Sequence, residues 1–276
     1  MRWLVFWGNN MSDTLDFTNP MGYPIREDFG QGAYHRGIRL EKMTDDQGSF
    51  ILGELEDCNH GFRVKVYIDS EKVIKIEGDA IRTPLNTCFG AIDVLQQLVG
   101  CPLGLTLRDL TKRVKATEHC THWLDLTLLA INHAKRDEAA IHYLVVAPDE
   151  VDEAQWVTVY RNGELVIEWL LHAWSIQQPN ELAGKTLFKG FSAWASEIAG
   201  DDEAWLEAAM VLQKGYFVSS ARRFNLNEVE GEPATNHSVM KGACYSYSEP
   251  QLSKAYRAKN SIRDFTQSEE KILRFE

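Results

Sequence analysis

Alternating apolar and polar residues dominate the chain after its first thirty residues, and they predict an antiparallel sheet. Residues 62–68 read Phe-Arg-Val-Lys-Val-Tyr-Ile, which is the period-two pattern of a half-buried strand. The segments Gly37–Met43, Ser49–Glu56 and Lys72–Glu77 flank it and are separated by short polar turns. We therefore expect a meander of three or four strands.

Apolar residues at helical spacing follow the strands. Leu124, Leu128 and Ile131 share one face of a helix predicted from Thr121 to His133. An earlier helix is predicted to begin at Asn86 and Thr87, to bury Phe89 on its apolar face and to end at Gly100. Further helices are predicted over Leu107–Val114, Leu187–Ile198 and from about Asp201 to Arg222.

The second half of the chain contains a hairpin signal. Asn162-Gly163 separates two apolar runs, and this dipeptide favours the tight turn that joins paired strands. Gly242–Tyr247 is predicted to be a short strand. We expect an α+β fold with an N-terminal arm over 1–33, an α+β domain over 34–147, and a C-terminal lobe of hairpin and helices over 148–276.

Composition narrows the choice of partners. The chain has 276 residues and a formal net charge of −11, so its surface repels phosphate backbones and nucleic acid is not an expected partner. No apolar stretch approaches the ~20 residues of a membrane helix. Five cysteines and no signal peptide predict free or metal-bound thiols in a reducing cytoplasm. Met11 is a more natural start than Met1, so residues 1–10 are interpreted as an upstream extension.

Cysteine and histidine residues recur at three points and suggest a metal site. If the chain near Glu56–His60 is extended, Cys58 and His60 point the same way, while Cys88 and Cys120 lie at predicted helix starts. Four ligands from Cys58, His60, Cys88, Cys120 and His122 would suit tetrahedral zinc or an iron-containing cluster. No Cys-x-x-Cys spacing accompanies them, and the alternative is that these cysteines are small core residues.

A catalytic interpretation uses some of the same residues. A helix N-terminus favours the thiolate, so Cys120 is a candidate nucleophile and His122 a candidate base. His35 and Arg36 in Tyr34-His35-Arg36, and Arg82 before Thr83-Pro84, are candidates for contacting a small anionic substrate, with His35 a further catalytic candidate. For His35 and Arg36 the simpler interpretation is a surface triplet at the start of a strand, and Arg82 is equally interpretable as a charge on a surface loop.

Several segments resemble an uncharacterised bacterial family, domain of unknown function 2889. They are Tyr34-His35-Arg36, Gly53–Asp57, Val64–Asp69, Thr83–Cys88, Leu98–Gly100 and His119–Leu124. The last is similar to the family's Gly-Cys-Thr-His-Leu signature, with His119 in place of the glycine. The family also favours His-Asp before the Val64 strand, where this chain has His60-Gly61. The resemblance covers residues 34 to about 133 and implies no established activity.

Residues 58–132 are more distantly similar to iron–sulfur scaffold and sulfur-acceptor proteins of the NifU and SufU kind. The resemblance makes Cys58, His60, Cys88 and Cys120 the counterparts of that family's ligands. His60 stands where the family has aspartate, and Thr87 where it has glycine. It implies a metal or thiol pocket on the same fold.

Three functions follow as hypotheses. The first is a zinc- or iron-binding enzyme or accessory protein of small-molecule catabolism. The second is a cofactor-independent enzyme with a catalytic Cys/His pair. The third is a non-catalytic subunit of a homo- or hetero-oligomer that uses its aromatic-rich C-terminal lobe as an interface. The common nucleotide, serine-hydrolase and zincin motifs are missing from the sequence.

Overall fold

An eight-stranded antiparallel sheet forms the centre of the computed structural model, which describes residues 22–115, 118–237 and 240–276. Its strands lie in the order β4-β3-β2-β1-β5-β6-β7-β8. Their bounds are β1 Ala33–Asp45, β2 Gly48–Asp57, β3 Gly61–Ile68, β4 Val73–Arg82, β5 Ala140–Pro148, β6 Gln155–Arg161, β7 Glu164–His172 and β8 Ser175–Gln178. The predicted α+β class is confirmed, and so are the first four strands.

Two helices, α3 and α5, cover one face of this sheet. The helices are α1 Ala91–Leu95, α2 Leu107–Lys112, α3 Thr121–His133, α4 Phe191–Ala199 and α5 Glu203–Ser219. Helix α3 packs against β1, β2 and β3, and α5 packs mainly against β5 and β6. The main hydrophobic core lies between the helices and the sheet. No helix in the described ranges is long and apolar enough to cross a membrane.

Two glycines let α3 approach the sheet closely. A Cβ atom at Gly78 on β4 would overlap the ring of Trp123, and one at Gly53 on β2 would lie 3.2 Å from Leu126. The helix can therefore bury large side chains directly on the strands. Leu124, Leu128 and Ile131 are all buried, as their spacing predicted.

Helices α3 and α5 lie side by side and run in opposite directions. Asn132, in the last turn of α3, and Arg136, just after its end, contact Glu207 near the start of α5. Two turns away, Asp125 of α3 pairs with Lys214 of α5. This pairing sets which residues of the two helices face each other above the sheet.

The last residues of the described chain cross the opposite face of the sheet. Glu269 lies 3.3 Å from the ring nitrogen Nε2 of His35, and the backbone N–H of Phe275 donates to Glu56 at 3.1 Å. Ile272 occupies the space over Gly37 that a side chain there would fill. This strap covers the ends of β1, β2 and β3, so His35 lies on the face away from α3.

The structure also corrects local predictions. Phe89 is 67 % exposed, so its predicted burial is wrong. Residues 88–90 form a 3₁₀ turn, which has three residues per turn. Phe89 is therefore rotated away from the apolar face that an α-helix would turn inward. The predicted strand Gly242–Tyr247 is also wrong, because a 3₁₀ turn occupies Tyr245–Tyr247. The Asn-Gly hairpin is confirmed, and both turn residues have positive φ.

The sheet continues across residue 148, where the sequence predicted a domain boundary. Strand β5 pairs with β1 along one edge and with β6 along the other. The helices of both halves share one core with this sheet. The proposed extension over residues 1–10 lies outside the described residues.

Candidate functional site

A fully buried carboxylate, Asp57, is the centre of a polar cluster beneath the N-terminus of α3. It is the last residue of β2 and lies opposite Arg36 of β1. Tyr34 and Arg36 are two residues apart on β1, so their side chains point to the same face of the sheet. The Tyr34 hydroxyl donates to Asp57 Oδ2 at 2.8 Å, and Arg36 Nη2 donates to the same oxygen at 2.7 Å.

The other carboxylate oxygen of Asp57 organises the turn into β3. Oδ1 accepts the backbone N–H groups of Asn59 at 2.8 Å and His60 at 2.9 Å. It also lies 2.9 Å from the ring nitrogen Nδ1 of His60. Short aspartate–backbone bonds of this kind are typical of turns that follow a strand. A single side chain therefore fixes both the turn and the imidazole that the turn presents.

Asp57 is ionised at neutral pH, and this determines the tautomer of His60. Burial alone would raise the pKa of Asp57, but the interaction with the His60 ring and the charge of Arg36 hold it well below its usual range. An ionised carboxylate only accepts hydrogen bonds, so Nδ1 of His60 carries the proton that it donates to Asp57. Nε2 of His60 is then left with a lone pair.

The His60 ring stacks on His122, the second residue of α3. The ring centroids are 3.8 Å apart and the planes are inclined by 27°. Burial lowers the pKa of His60. Burial also lowers the pKa of His122 well below its ordinary value, and the repulsion that a protonated His60 would exert lowers it further. His122 remains partly exposed. At neutral pH the site thus holds two adjacent neutral imidazoles, of which one is oriented by a carboxylate and the other faces outward.

Neighbouring side chains hold α3 and His122 in place. Trp123 packs on Phe62 of β3 with ring centroids 4.8 Å apart, and Trp123 is fully buried. The ring centroids of Phe62 and His60 are 5.6 Å apart. The imidazole pair is therefore backed by a rigid aromatic core, which suits a preorganised site.

The predicted cysteine ligands fall into two places. Cys58 is buried beside Asp57 and Asn59, and Asn59 Nδ2 donates to its sulfur at 3.3 Å. Cys88 is buried in a separate small cluster with Tyr247, and its sulfur accepts the Ser246 hydroxyl at 3.4 Å. Cys120 lies near Cys88 and near Cys244, a cysteine outside the predicted ligand set.

These positions do not gather the proposed metal ligands. Within residues 22–115, 118–237 and 240–276, no group of three or more His, Cys, Asp or Glu side chains could hold a metal ion. Cys58, His60, Cys88 and Cys120 therefore do not fit the four-ligand zinc or iron site. Their division has a physical cause, since His60 turns toward Asp57 while Cys88 packs under the C-terminal segment.

The expected activation of Cys120 is wrong. Burial raises the pKa of its thiol well above the ordinary value, and the neighbouring Cys88 and Cys244 raise it further. Burial also raises the pKa of the Cys88 thiol to about 12. The favourable field of a helix N-terminus is smaller than this desolvation effect. Both sulfurs are protonated at neutral pH.

The candidate substrate-binding residues are committed to internal contacts. Arg36 is 1 % exposed and bonds to Asp57 and Tyr34. Arg82 is buried, bonds to Glu56 at 2.9 Å and donates to the backbone carbonyls of Cys58, Asp57 and His60. His35 lies on the strap side of the sheet beside Glu269. Arg82 thus supports the turn that carries His60.

Sequence reasoning missed two residues of the cluster, Asp57 and Tyr34. The place of Asp57 three residues before His60 is a signal of a capped turn, although the cysteine next to it attracts more attention. The i, i+2 spacing of Tyr34 and Arg36 predicts a shared face, although the triplet around them is equally typical of a surface strand.

Comparison with known proteins identifies a family segment. Residues 37–135 match the family model described as "Protein of unknown function (DUF2889)". The match runs from β1 to just past α3 and includes Asp57, His60 and His122. It confirms the family resemblance inferred from the sequence over this segment. No curated protein matches the chain. The similarity to NifU and SufU proteins stays a prediction.

Proposed function

We propose that the chain is an enzyme of small-molecule metabolism whose reactive centre is the stacked pair of His60 and His122. His60 acts as the general base through Nε2, and Asp57 orients it and stabilises its charged form. The observation that carries the proposal is the 2.9 Å bond from His60 Nδ1 to a buried, ionised carboxylate, which leaves Nε2 as the acceptor.

The stacking of the His60 and His122 rings supports a role in proton transfer. A proton on one imidazole disfavours a proton on the other, because like charges 3.8 Å apart repel in a buried site. The pair therefore holds at most one proton readily. When His60 takes a proton from the substrate or from water, His122 stays neutral and is available to bind or to donate.

This proposal replaces the Cys120 nucleophile of the cofactor-independent hypothesis by histidine. Protonated, buried thiols are poor nucleophiles. The cytoplasmic location remains a prediction.

A zinc or iron site is a second candidate, favoured by one observation. A histidine whose Nδ1–H is held by a carboxylate is the usual arrangement of a metal ligand as well as of a base. His60 and His122 would supply only two ligands, so a metal would need groups beyond those predicted from sequence. Elemental analysis of the purified protein separates the candidates, with a stoichiometric metal that is lost in His60→Gln favouring the second.

Turnover of an unfractionated metabolite extract, followed by mass spectrometry, tests the enzyme proposal while the substrate is still unidentified. We expect the folded protein to deplete at least one metabolite, and His60→Gln to slow that reaction by roughly 10²- to 10⁴-fold, the usual contribution of a general base. His142→Gln is the matched control, because His142 is an exposed histidine on β5. An extract left unchanged by the wild-type protein, or a reaction that His60→Gln leaves within about twofold, contradicts the proposal.

A further inference from the structure

A second polar pair lies beside the imidazoles, between α3 and α5. Asp125 is one helical turn after His122 on α3, so the two side chains lie on neighbouring positions of one helix face. Lys214 Nζ of α5 lies 3.2 Å from Asp125 Oδ2. Lys214 is among the charges that act on His122, so the pair lies near that ring.

This pair differs from the buried charges near the imidazoles because it reaches solvent. The side chain of Lys214 is 26 % exposed and that of Asp125 is 20 % exposed. By contrast, the Arg36 side chain is 2 % exposed and pairs with Asp57, whose side chain is wholly buried. A dissolved molecule can therefore reach Lys214 from outside, whereas it cannot reach Arg36.

The geometry points to the Lys214–Asp125 pair as the subsite that binds an anionic group, carboxylate or phosphate, of the substrate that reacts at His60 and His122. This inference rests on the proposed function and adds the chemical class of the substrate. Lys214 contacts the anion as a point charge with three donors. Asp125 holds the ammonium group beside His122 when the anion is absent, and it yields its place when the anion binds.

The environment of Asp125 supports such an exchange. Burial raises the pKa of Asp125, although Lys214 and then Arg36 oppose the shift, so its charged form is poorly solvated. Its buried Oδ2 atom contacts Lys214 Nζ at 3.2 Å, in a geometry that falls short of a full hydrogen bond. Asp57 shows the contrasting case, with both oxygens fully bonded. Because burial already favours its neutral form, Asp125 can take up a proton when Lys214 turns to the anion.

Titration with inorganic phosphate and, separately, with acetate tests the subsite, with the ring NMR signals of His122 and His60 as the readout. We expect phosphate or acetate to shift the His122 signals saturably in the wild-type protein. Lys214→Met should weaken that binding at least tenfold, and Asp125→Asn should strengthen it, because Lys214 then loses its competing counter-ion. The anion that binds more tightly identifies the class of substrate group.

Lys65→Met is the matched control, since Lys65 pairs with Asp45 at 3.4 Å far from the imidazoles. It should leave the anion affinity unchanged. Equal affinities in Lys214→Met and wild type, or no saturable shift of His122 with either anion, would overturn the inference. Thermal unfolding of each variant checks that the fold is retained.

The two proposals fail separately. Metabolite turnover that depends on His60, without anion binding at Lys214, preserves the enzyme proposal and removes the subsite. Anion binding that depends on Lys214, without any turnover, preserves the subsite and removes the enzyme proposal.

Discussion

Asp57 and Glu207 are both fully buried carboxylates, and they lie near opposite ends of α3. Each accepts a hydrogen bond from a tyrosine and from an arginine: Tyr34 and Arg36 for Asp57, Tyr143 and Arg136 for Glu207. The remaining partners differ. Asp57 bonds to the ring of His60, whereas Glu207 accepts from the amide of Asn132 at 2.8 Å.

This difference separates a structural cluster from a reactive one. The partners of Glu207 join α3, α5 and β5 through side chains that keep one protonation state near neutral pH. The Asp57 cluster uses the same tyrosine and arginine contacts to hold a titratable ring. In both clusters a buried, fully hydrogen-bonded carboxylate fixes the positions of its neighbours. Only the Asp57 cluster holds a titratable ring, that of His60.

The largest expected effect comes from removing the charge of Asp57. Asp57→Asn leaves the Arg36 guanidinium buried without a counter-ion and disrupts the turn to His60. We expect a loss of about 4 kcal/mol in the free energy of unfolding, as for other broken buried pairs. Urea denaturation measures it. A loss below about 1 kcal/mol would mean that Asp57 does not hold the cluster together.

Glu207→Gln is the companion substitution and should cost somewhat less, about 3 kcal/mol. The side chain of Arg136 is 14 % exposed, against 2 % for Arg36, so water relieves part of its lost pairing. The His60 and His122 ring signals should keep their pH titration in this variant and change in Asp57→Asn. If both variants change the titration alike, the two clusters are not independent.

Of the two clusters, the Asp57 cluster should make stability depend on pH. The pKa of His60 and of His122 is lowered in the folded protein, so unfolding lets each ring take up a proton near its ordinary value of about 6.5. Stability is therefore greatest above that pH and falls as the pH drops below it. Each ring contributes a slope of up to about 1.4 kcal/mol per pH unit.

Denaturation curves between pH 7.5 and about 5 test this slope. The double variant His60→Gln/His122→Gln should flatten it relative to wild type, while His142→Gln should leave it unchanged. Burial also lowers the pKa of His35, His119 and His133, so a residual slope is expected in the double variant. A slope that the double variant keeps in full would assign the effect to those three residues.

The smallest effects come from the two tyrosine hydroxyls. Tyr34→Phe and Tyr143→Phe each remove one donor to a buried carboxylate, which typically costs about 1.5–2 kcal/mol. The stability losses should be similar, but only Tyr34→Phe should alter the ring titration of His60. An equal effect of both on His60 would contradict the division between the clusters.

The sequence predicted much of the fold because its signals are local. Period-two alternation located β1 to β4, Asn162-Gly163 located the β6–β7 hairpin, and apolar spacing located α3. The pairing of β1 with β5 was missed, because the alternation along a strand does not show which distant strand it pairs with. The domain division at residue 148 stays a prediction, and the sheet has strands on both sides of it.

The candidate site was predicted in its residues more than in its chemistry. His60 and His122 were both named, but as metal ligands and as a partner of Cys120. Asp57 and Lys214 acquire their roles from strand register and helix packing, which a single sequence does not encode visibly. Cys120 was misinterpreted because position in a helix was weighed without burial, and burial determines the protonation of its thiol.

Strand β1 has a further consequence for the order in which the chain folds. Its pairing with β5 joins Ala33 to Pro148, so β2 to β4 and α1 to α3 all lie within the loop that this ladder closes. During synthesis, one edge of β1 stays unpaired until β5 has left the ribosome. An open edge of this length is a template for pairing with another nascent chain. The late arrival of β5 thus leaves the middle of the sheet open to mispairing during synthesis.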